Sequence, residues 1–300
     1  MGEEVGVILL DKPDLFKWLE ILEKEREALT QNQGSSEDYF TIKIENLKIS
    51  DTKHSFIVLI ACLVEYIHQL GYKTKLVFDD YDFYKLIIDT IKLDQYYRFG
   101  NKNYIEAEDD TILNLWKIIK EESIEYVNNA TSYLNREYFE DYDLTTLKIV
   151  LDELFCNVAD HSRCEAIAFI YLEYSPDSKI ISCAVCDFGL GIPKTLRNAY
   201  PGKYTTDVDA LNDAIKLGIT ARSTVQNRGF GLDNILSNIT TDDKLRIISN
   251  RASLTCCDSK DNINSIPLHF NFTGSLIYFE IHTDSFPLRE FDEGDVTLEY

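Results

Sequence analysis

The residues with the clearest chemical content lie in the stretch Leu147–Ser162, LKIVLDELFCNVADHS. Read as a helix, it places Glu153, Asn157, Asp160 and His161 on one face, at offsets of four, seven and eight residues. Leu147, Val150, Leu151, Leu154 and Val158 form a second, apolar stripe. A carboxylate, an amide and an imidazole on one face can hold a metal or position a reacting water, and the same residue types also make an ordinary solvated face. Downstream, a strand-like run ends in Asp187-Phe188-Gly189-Leu190-Gly191-Ile192-Pro193. A carboxylate at a strand end can accept a hydrogen bond from an exocyclic amino group, and the glycines permit close approach of a ligand or simply a tight turn. Further on come Gly218–Ser223, containing Arg222, and the stretch Asn227–Ile235, in which Arg228, Gly229, Phe230, Gly231 and Leu232 precede a helix expected to start near Gly231. Backbone N–H groups at a glycine-led helix start bind anions, and the two arginines bring positive charge to the same stretch. Neither GxxxxGK[ST] nor GxGxxG after a strand is present.

The elements that must position these residues read as follows. Residues 5–10 form a short strand, a helix runs to about Leu29, Phe40–Ile49 is a strand, Thr52–Leu70 a helix ended by Gly71, Lys73–Phe78 a strand, and a further helix reaches about Leu93. This alternation predicts a small α/β unit with crossover connections. Thr111–Tyr133 has helical spacing through Ile112, Leu115, Trp116, Ile119 and Val127. Glu165–Tyr174 and Lys179–Asp187, joined through Ser175-Pro176-Asp177, predict an antiparallel hairpin.

The totals limit the function classes. The 300-residue chain is 45% hydrophobic and 27% charged, a globular balance, with a formal net charge of −21. That charge disfavours binding to phosphate backbones, though a nucleotide site needs only a local field. Seven scattered cysteines suit a reducing compartment better than a disulfide framework. Cys183 and Cys186 lie three apart in a strand, so they point to opposite faces, and Cys256-Cys257 is read in a polar loop. The longest apolar run, Phe56–Val64, is far short of a membrane span, and the N-terminus lacks a signal-peptide pattern. A cytoplasmic protein away from membranes is expected.

Taken in order, ELFCNVADH, DFGLGIP, RGFGL and Phe272-Thr273-Gly274-Ser275-Leu276 resemble the GHKL ATPase family, which spans gyrase-type topoisomerases, heat-shock chaperones, mismatch-repair ATPases and histidine-kinase catalytic domains. The resemblance covers roughly Thr145 to Asp284. It implies Asn157 as the Mg²⁺ ligand and Glu153 as the general base that orients the attacking water. By the same resemblance Asp187 is the adenine-reading carboxylate, with Gly189, Gly191 and Ile192 shaping its pocket and Ser275 beside the base. Gly229, Phe230, Gly231 and Leu232 are the implied phosphate-cradling turn, with Arg222 and Arg228 near it. Asp160 and His161 fall on the helix motif, His161 either there or in packing. Lys194–Asn227 resembles a lid that closes over ATP. GFGL is shorter than the glycine series of some members, and the phosphoacceptor helical hairpin of histidine kinases is not seen in the sequence. The front segment is similar to a STAS-like domain in its pattern of elements and its turn Ser50–Ser55, where Ser50, His54 and Ser55 are either modification sites or capping and surface residues.

The resulting expectation is an α/β protein divided into a front unit (1–105), a helical connection (106–144) and a nucleotide-binding unit (145–300) built on a mixed, mostly antiparallel sheet with helices on one face. The expected activity is Mg²⁺-dependent ATP binding, with hydrolysis switching a contact to a protein partner or a second copy through lid closure. The alternatives are a serine or histidine protein kinase in the style of anti-sigma-factor kinases, and a non-hydrolysing nucleotide-gated interaction module. Nucleic acid is not expected as a partner.

Overall fold

The computed structural model describes residues 2–29, 37–51, 54–98, 102–118, 122–161, 167–216 and 242–289, with side chains at 51, 123, 156, 157 and 159–161 outside that set. The chain is mixed α/β. The front part runs β1 (Glu4–Asp11), α1 (Leu15–Leu29), β2 (Tyr39–Glu45), α2 (His54–Gln69), β3 (Lys73–Phe78), α3 (Tyr81–Lys85) with a π turn at Leu86–Thr90, and α4 (Gln95–Arg98). The remainder runs β4 (Ile112–Lys117), α5 (Ser123–Glu137), α6 (Thr145–His161), β5 (Ala168–Ser175), β6 (Ile180–Asp187), α7 (Ile192–Ala199), α8 (Asp207–Ala214), β7 (Lys244–Cys257) and β8 (Ile263–His282).

β1, β2 and β3 form a parallel sheet in that order. α1 and α2 share one core with it, the arrangement that two successive crossovers of one hand produce. The opposite face carries exposed Val5, Val7 and Leu9. α2 ends where Gly71 takes a positive φ of 90° and its neighbour's amide, that of Tyr72, reaches back to the Ile67 carbonyl.

The second sheet has the order β4-β5-β6-β8-β7, and every pairing in it is antiparallel. The expected mixture of directions is therefore divided between two sheets. β5 and β6 form the expected hairpin. Their side chains alternate between two cores. Ala168, Ile170, Leu172, Cys183 and Val185 face α5 and α6, whereas Phe169, Tyr171, Ala184 and Cys186 face α2. This explains why both strands read as unbroken apolar runs. Cys183 and Cys186 do lie on opposite faces.

The helices α5 to α8 lie on one face of this sheet, and α2 of the front part covers the other. Twelve of the sixteen residues of α2 are buried, so it is apolar all round because a sheet covers it on either side. Trp18 of α1 packs on Phe56 of α2 at 4.6 Å between ring centroids. The core that begins under β1 continues without a break into Ile248 and Leu276 of the second sheet.

The Thr111–Tyr133 helix is also corrected: β4 is an edge strand, and the helix α5 begins only at Ser123. The spacing misled because β4 carries a bulge between Leu113 and Trp116. One extra residue puts Ile112 and Leu115 on the α2 side, and Leu113 and Trp116 on the α5 side. Apolar residues then recur at three rather than two, which mimics a helix. The fully buried Asn114 holds the bulge, donating to the carbonyls of Ile91 (2.7 Å) and Ile105 (2.9 Å). The stretch 106–144 is thus part strand, not a helical connection. Cys256 and Cys257 close β7 instead of lying in a loop, with Cys256 buried.

Candidate functional site

The apolar stripe of α6 is buried from Leu147 through Val158. Asp143 opens the helix, accepting from the amide and hydroxyl of Thr145 at 2.8 and 2.6 Å. Its burial against β5, β6 and β8 fixes which sheet face α6 covers.

On that same face, three polar groups meet at the sheet's end. Asp187 closes β6, opposite Ala168 of β5 on one side and Ser275 of β8 on the other. Ser249 of β7 pairs with Ser275. Alternation places all three side chains with Val185, Ile277 and Ile247, on the α6 side. Asp187 is 2% exposed, and its Oδ1 accepts from the Gly189 amide at 2.8 Å. Burial pushes its pKa up to about 6, opposed by the Gly189 N–H, the Ser275 hydroxyl and the charge of Arg26. A carboxylate in this setting is a strong acceptor for a further donor.

The loop after Asp187 is held from β7. Ser249 Oγ accepts from the Ile192 amide at 2.9 Å and donates to the Gly274 carbonyl at 2.7 Å. Asn250 accepts from the Lys194 amide at 3.0 Å and donates to the Leu190 carbonyl at 3.0 Å. Gly191 has φ 86°, and a Cβ there would sit 2.6 Å from the Asn250 amide atoms. Gly191 is therefore required for packing on Asn250. Gly274 has φ 141°, and its missing Cβ would lie 2.1 Å from the Asp187 carbonyl oxygen. Ile192 starts α7, buried in the α6-side core.

From the other side of the sheet, α1 reaches the same strand ends. Arg26 donates to the Thr273 carbonyl at 2.6 Å and to the Phe188 carbonyl at 3.3 Å, with its guanidinium 4.1 Å from the Phe188 ring centroid. Glu23 accepts from the Thr273 amide at 3.0 Å and hydroxyl at 2.5 Å, and pairs with Arg26 at 3.2 Å. A pair from the front unit thus clamps both backbone segments that flank Asp187.

Asp187, Gly189, Gly191, Ile192 and Ser275 are therefore brought together. Glu153 is half-buried on α6 and engaged with neighbouring groups. Asn157, Asp160 and His161 belong to α6, but their side chains lie outside the described set. Arg222, Arg228, Gly229, Phe230, Gly231 and Leu232 also lie outside it. Of the expected lid Lys194–Asn227, the described part up to 216 contains α7 and α8, whose Leu196, Ala210 and Leu211 are buried against the sheet. A capping box between Thr206 and Asp209 starts α8.

Sequence reasoning missed Ser249, Asn250, Glu23 and Arg26. The Ser-Asn pair interrupting the apolar run of β7 was a readable signal of a polar contact within a buried strand. Nothing in α1 marks Glu23 and Arg26 apart from an ordinary i, i+3 pair. Among the described residues there is no group of three or more His, Cys, Asp or Glu side chains arranged to hold a metal. Two cavities of about 540 and 560 Å³ are lined by other residues, none of them on the strand ends just described. No protein-family model matches this chain, and no curated protein matches it either.

Proposed function

We propose that the chain is a GHKL-type, Mg²⁺-dependent ATP-binding protein that hydrolyses ATP. The observation carrying this reading is the buried Asp187 carboxylate, opposite Ser275 at the strand end and on the sheet face that α6 covers. Asp187 has acceptor capacity beyond its bond to the Gly189 amide, which suits an exocyclic amino donor. The glycine-dependent crossings at Gly191 and Gly274 fix the backbone around it. In this reading, Asn157 holds Mg²⁺, whose contribution is to offset phosphate charge. Glu153 orients and deprotonates the attacking water. Arg222, Arg228 and the stretch 229–232 meet the phosphates, and Lys194–Asn227 closes over the bound ATP. Lid closure would alter a contact to a protein partner.

The test is titration of the full chain with ATP and Mg²⁺, followed by phosphate release. Glu153→Ala is expected to keep binding and lose turnover by roughly 100-fold or more. Undiminished turnover in that variant removes the assigned role, and absence of ATP binding removes the reading as a whole. Transfer of the γ-phosphate to a co-expressed protein in place of water would make Glu153 the base for an acceptor hydroxyl or imidazole.

A further inference from the structure

The front unit is joined to the second sheet at two places. At the β4 edge, Glu65 of α2 pairs with Lys117, and the Tyr96 hydroxyl donates to the Leu115 carbonyl. Glu23 and Arg26 of α1 make the other joint at the Asp187 strand end, through residues next to the carboxylate in the chain or across the sheet. A buried ion pair adds little net stability over a well-packed apolar substitute, so what it holds in place is its main consequence.

Phe188 follows Asp187 directly. Its carbonyl accepts from one guanidinium nitrogen of Arg26, and its ring lies against the same group. Thr273 precedes Gly274, whose backbone crosses closest to the Asp187 carbonyl. The Thr273 carbonyl accepts from the second guanidinium nitrogen, and its amide and hydroxyl donate to Glu23. The backbone beside Asp187 and the backbone that crosses it are therefore tied to one planar cation. A guanidinium can hold two carbonyls and stack on a ring at once, which the point charge of an ammonium cannot.

α1 packs on the face of the sheet away from α6, so Arg26 acts on the carboxylate through the backbone and through its charge. Burial raises the Asp187 carboxyl, and the Arg26 charge opposes that rise together with the Gly189 amide and the Ser275 hydroxyl. The other ionisable groups around this point are Glu23 on α1, Tyr66 and Cys62 on α2, Cys186 on β6 and Glu153 on α6. The Tyr66 ring lies 5.4 Å from the guanidinium, and burial pushes the Cys186 thiol well above its usual range.

We propose that Arg26 is a positioning residue of the nucleotide site, an assignment that rests on the nucleotide reading: from the front unit it holds Phe188 and Thr273 so that the Asp187 carboxylate stays aimed at the base.

The full-length native chain, Arg26→Met and Arg26→Lys are compared in two measurements. One is the midpoint of the Asp187 carboxyl titration, read by carboxyl-carbon NMR without nucleotide, with Asp187→Asn identifying the signal. The other is affinity for ATP with Mg²⁺ at pH 6 and pH 8, each variant relative to the native chain at the same pH. Arg26→Met keeps the apolar stem and loses the charge and the donors. Its midpoint is expected to rise by about half a pH unit or more. Its ATP affinity is expected to fall several-fold at pH 8, and at least about twofold further at pH 6, where less of the carboxylate is ionised. Arg26→Lys keeps the charge, so its midpoint is expected near the native one, with ATP binding several-fold weaker at both pH values. Native affinity at both pH values in a folded Arg26→Met overturns the proposal. An equal loss at pH 6 and pH 8 with an unmoved midpoint also overturns it, because that pattern marks a structural role alone. If Arg26→Met does not fold, native affinity in Arg26→Lys overturns it. A native chain that binds no ATP removes the nucleotide reading, and the NMR midpoint then decides by itself whether Arg26 governs Asp187.

Discussion

At the residue scale, Asp187 is the group on which the proposed nucleotide reading rests. Its carboxyl is raised from 3.8 to about 6, first by burial. Below about pH 4 both folded and unfolded chains keep this proton. Between about pH 4 and 6 the unfolded chain releases it while the folded one holds it, so stability falls as pH rises through that window and is level above it. The shift corresponds to a penalty on the order of 3 kcal/mol at neutral pH. Asp187→Asn keeps the shape and an acceptor for the Gly189 amide but carries no charge. It is expected to unfold at higher denaturant than the native chain at pH 8, with the difference closing toward pH 4. The same variant should bind ATP about 10- to 150-fold more weakly, the worth of one charge-assisted bond. On the proposed nucleotide reading, ATP binding by the native chain should weaken as pH drops below about 6, where Asp187 takes up its proton. A variant no more stable at pH 8, with unchanged ATP affinity, would contradict both halves of this account.

At the element scale, α1 is the least obvious contributor, because its Glu23 and Arg26 grip backbone on either side of Asp187 from the opposite face of the sheet. Both side chains are 12% exposed, so the pair is nearly buried and its partners are fixed. Removing one member leaves the other charge short of a partner, which typically costs about 3–5 kcal/mol in a buried pair. Arg26→Ala is expected to lower unfolding free energy by roughly that amount, reduced somewhat by the residual solvent access. Glu23→Ala combined with it should cost much less than the sum of the two. Denaturant unfolding of the four proteins in this cycle measures the coupling, and strictly additive effects would show that the clamp is not a unit. The apolar stripe of α6 was readable because each buried position recurs at helical spacing. The clamp was not, because its partners, the Phe188 and Thr273 carbonyls for Arg26 and the Thr273 amide and hydroxyl for Glu23, lie 162 to 250 residues away in sequence.

For the whole molecule, α2 is shared property. It covers Phe169, Tyr171, Ala184, Cys186, Ile248 and Leu276 on the second sheet while closing the core under β1 and β2. Glu65 of α2 pairs with Lys117 of β4, and Tyr96 of α4 donates to the Leu115 carbonyl, so polar bonds as well as apolar contacts join the two parts. A fragment 106–300 would expose the α2-covered face of the sheet, an apolar area far beyond scattered surface residues. It is expected to bind a hydrophobic dye and to lack a sharp unfolding transition. A fragment that stays monomeric and unfolds cooperatively would show the front unit to be dispensable for folding.

The sequence by itself determined the local elements: the buried stripe of α6, the β5–β6 hairpin, the alternation that builds the parallel front sheet, and the Asp187 strand end. Each depends on residues close together in the chain, where periodicity and turn chemistry act directly. Only the tertiary structure decided that β4 is a strand, that Ser249 and Asn250 pin the Asp187 loop, that Glu23 and Arg26 reach it, and that α2 lies between two sheets. The bulge in β4 gave a strand the spacing of a helix, and the other three rest on contacts between distant segments. Apolar residues on all sides of α2 require that it be buried. Which surfaces bury it follows from how the sheets assemble, because hydrophobic attraction has no direction of its own.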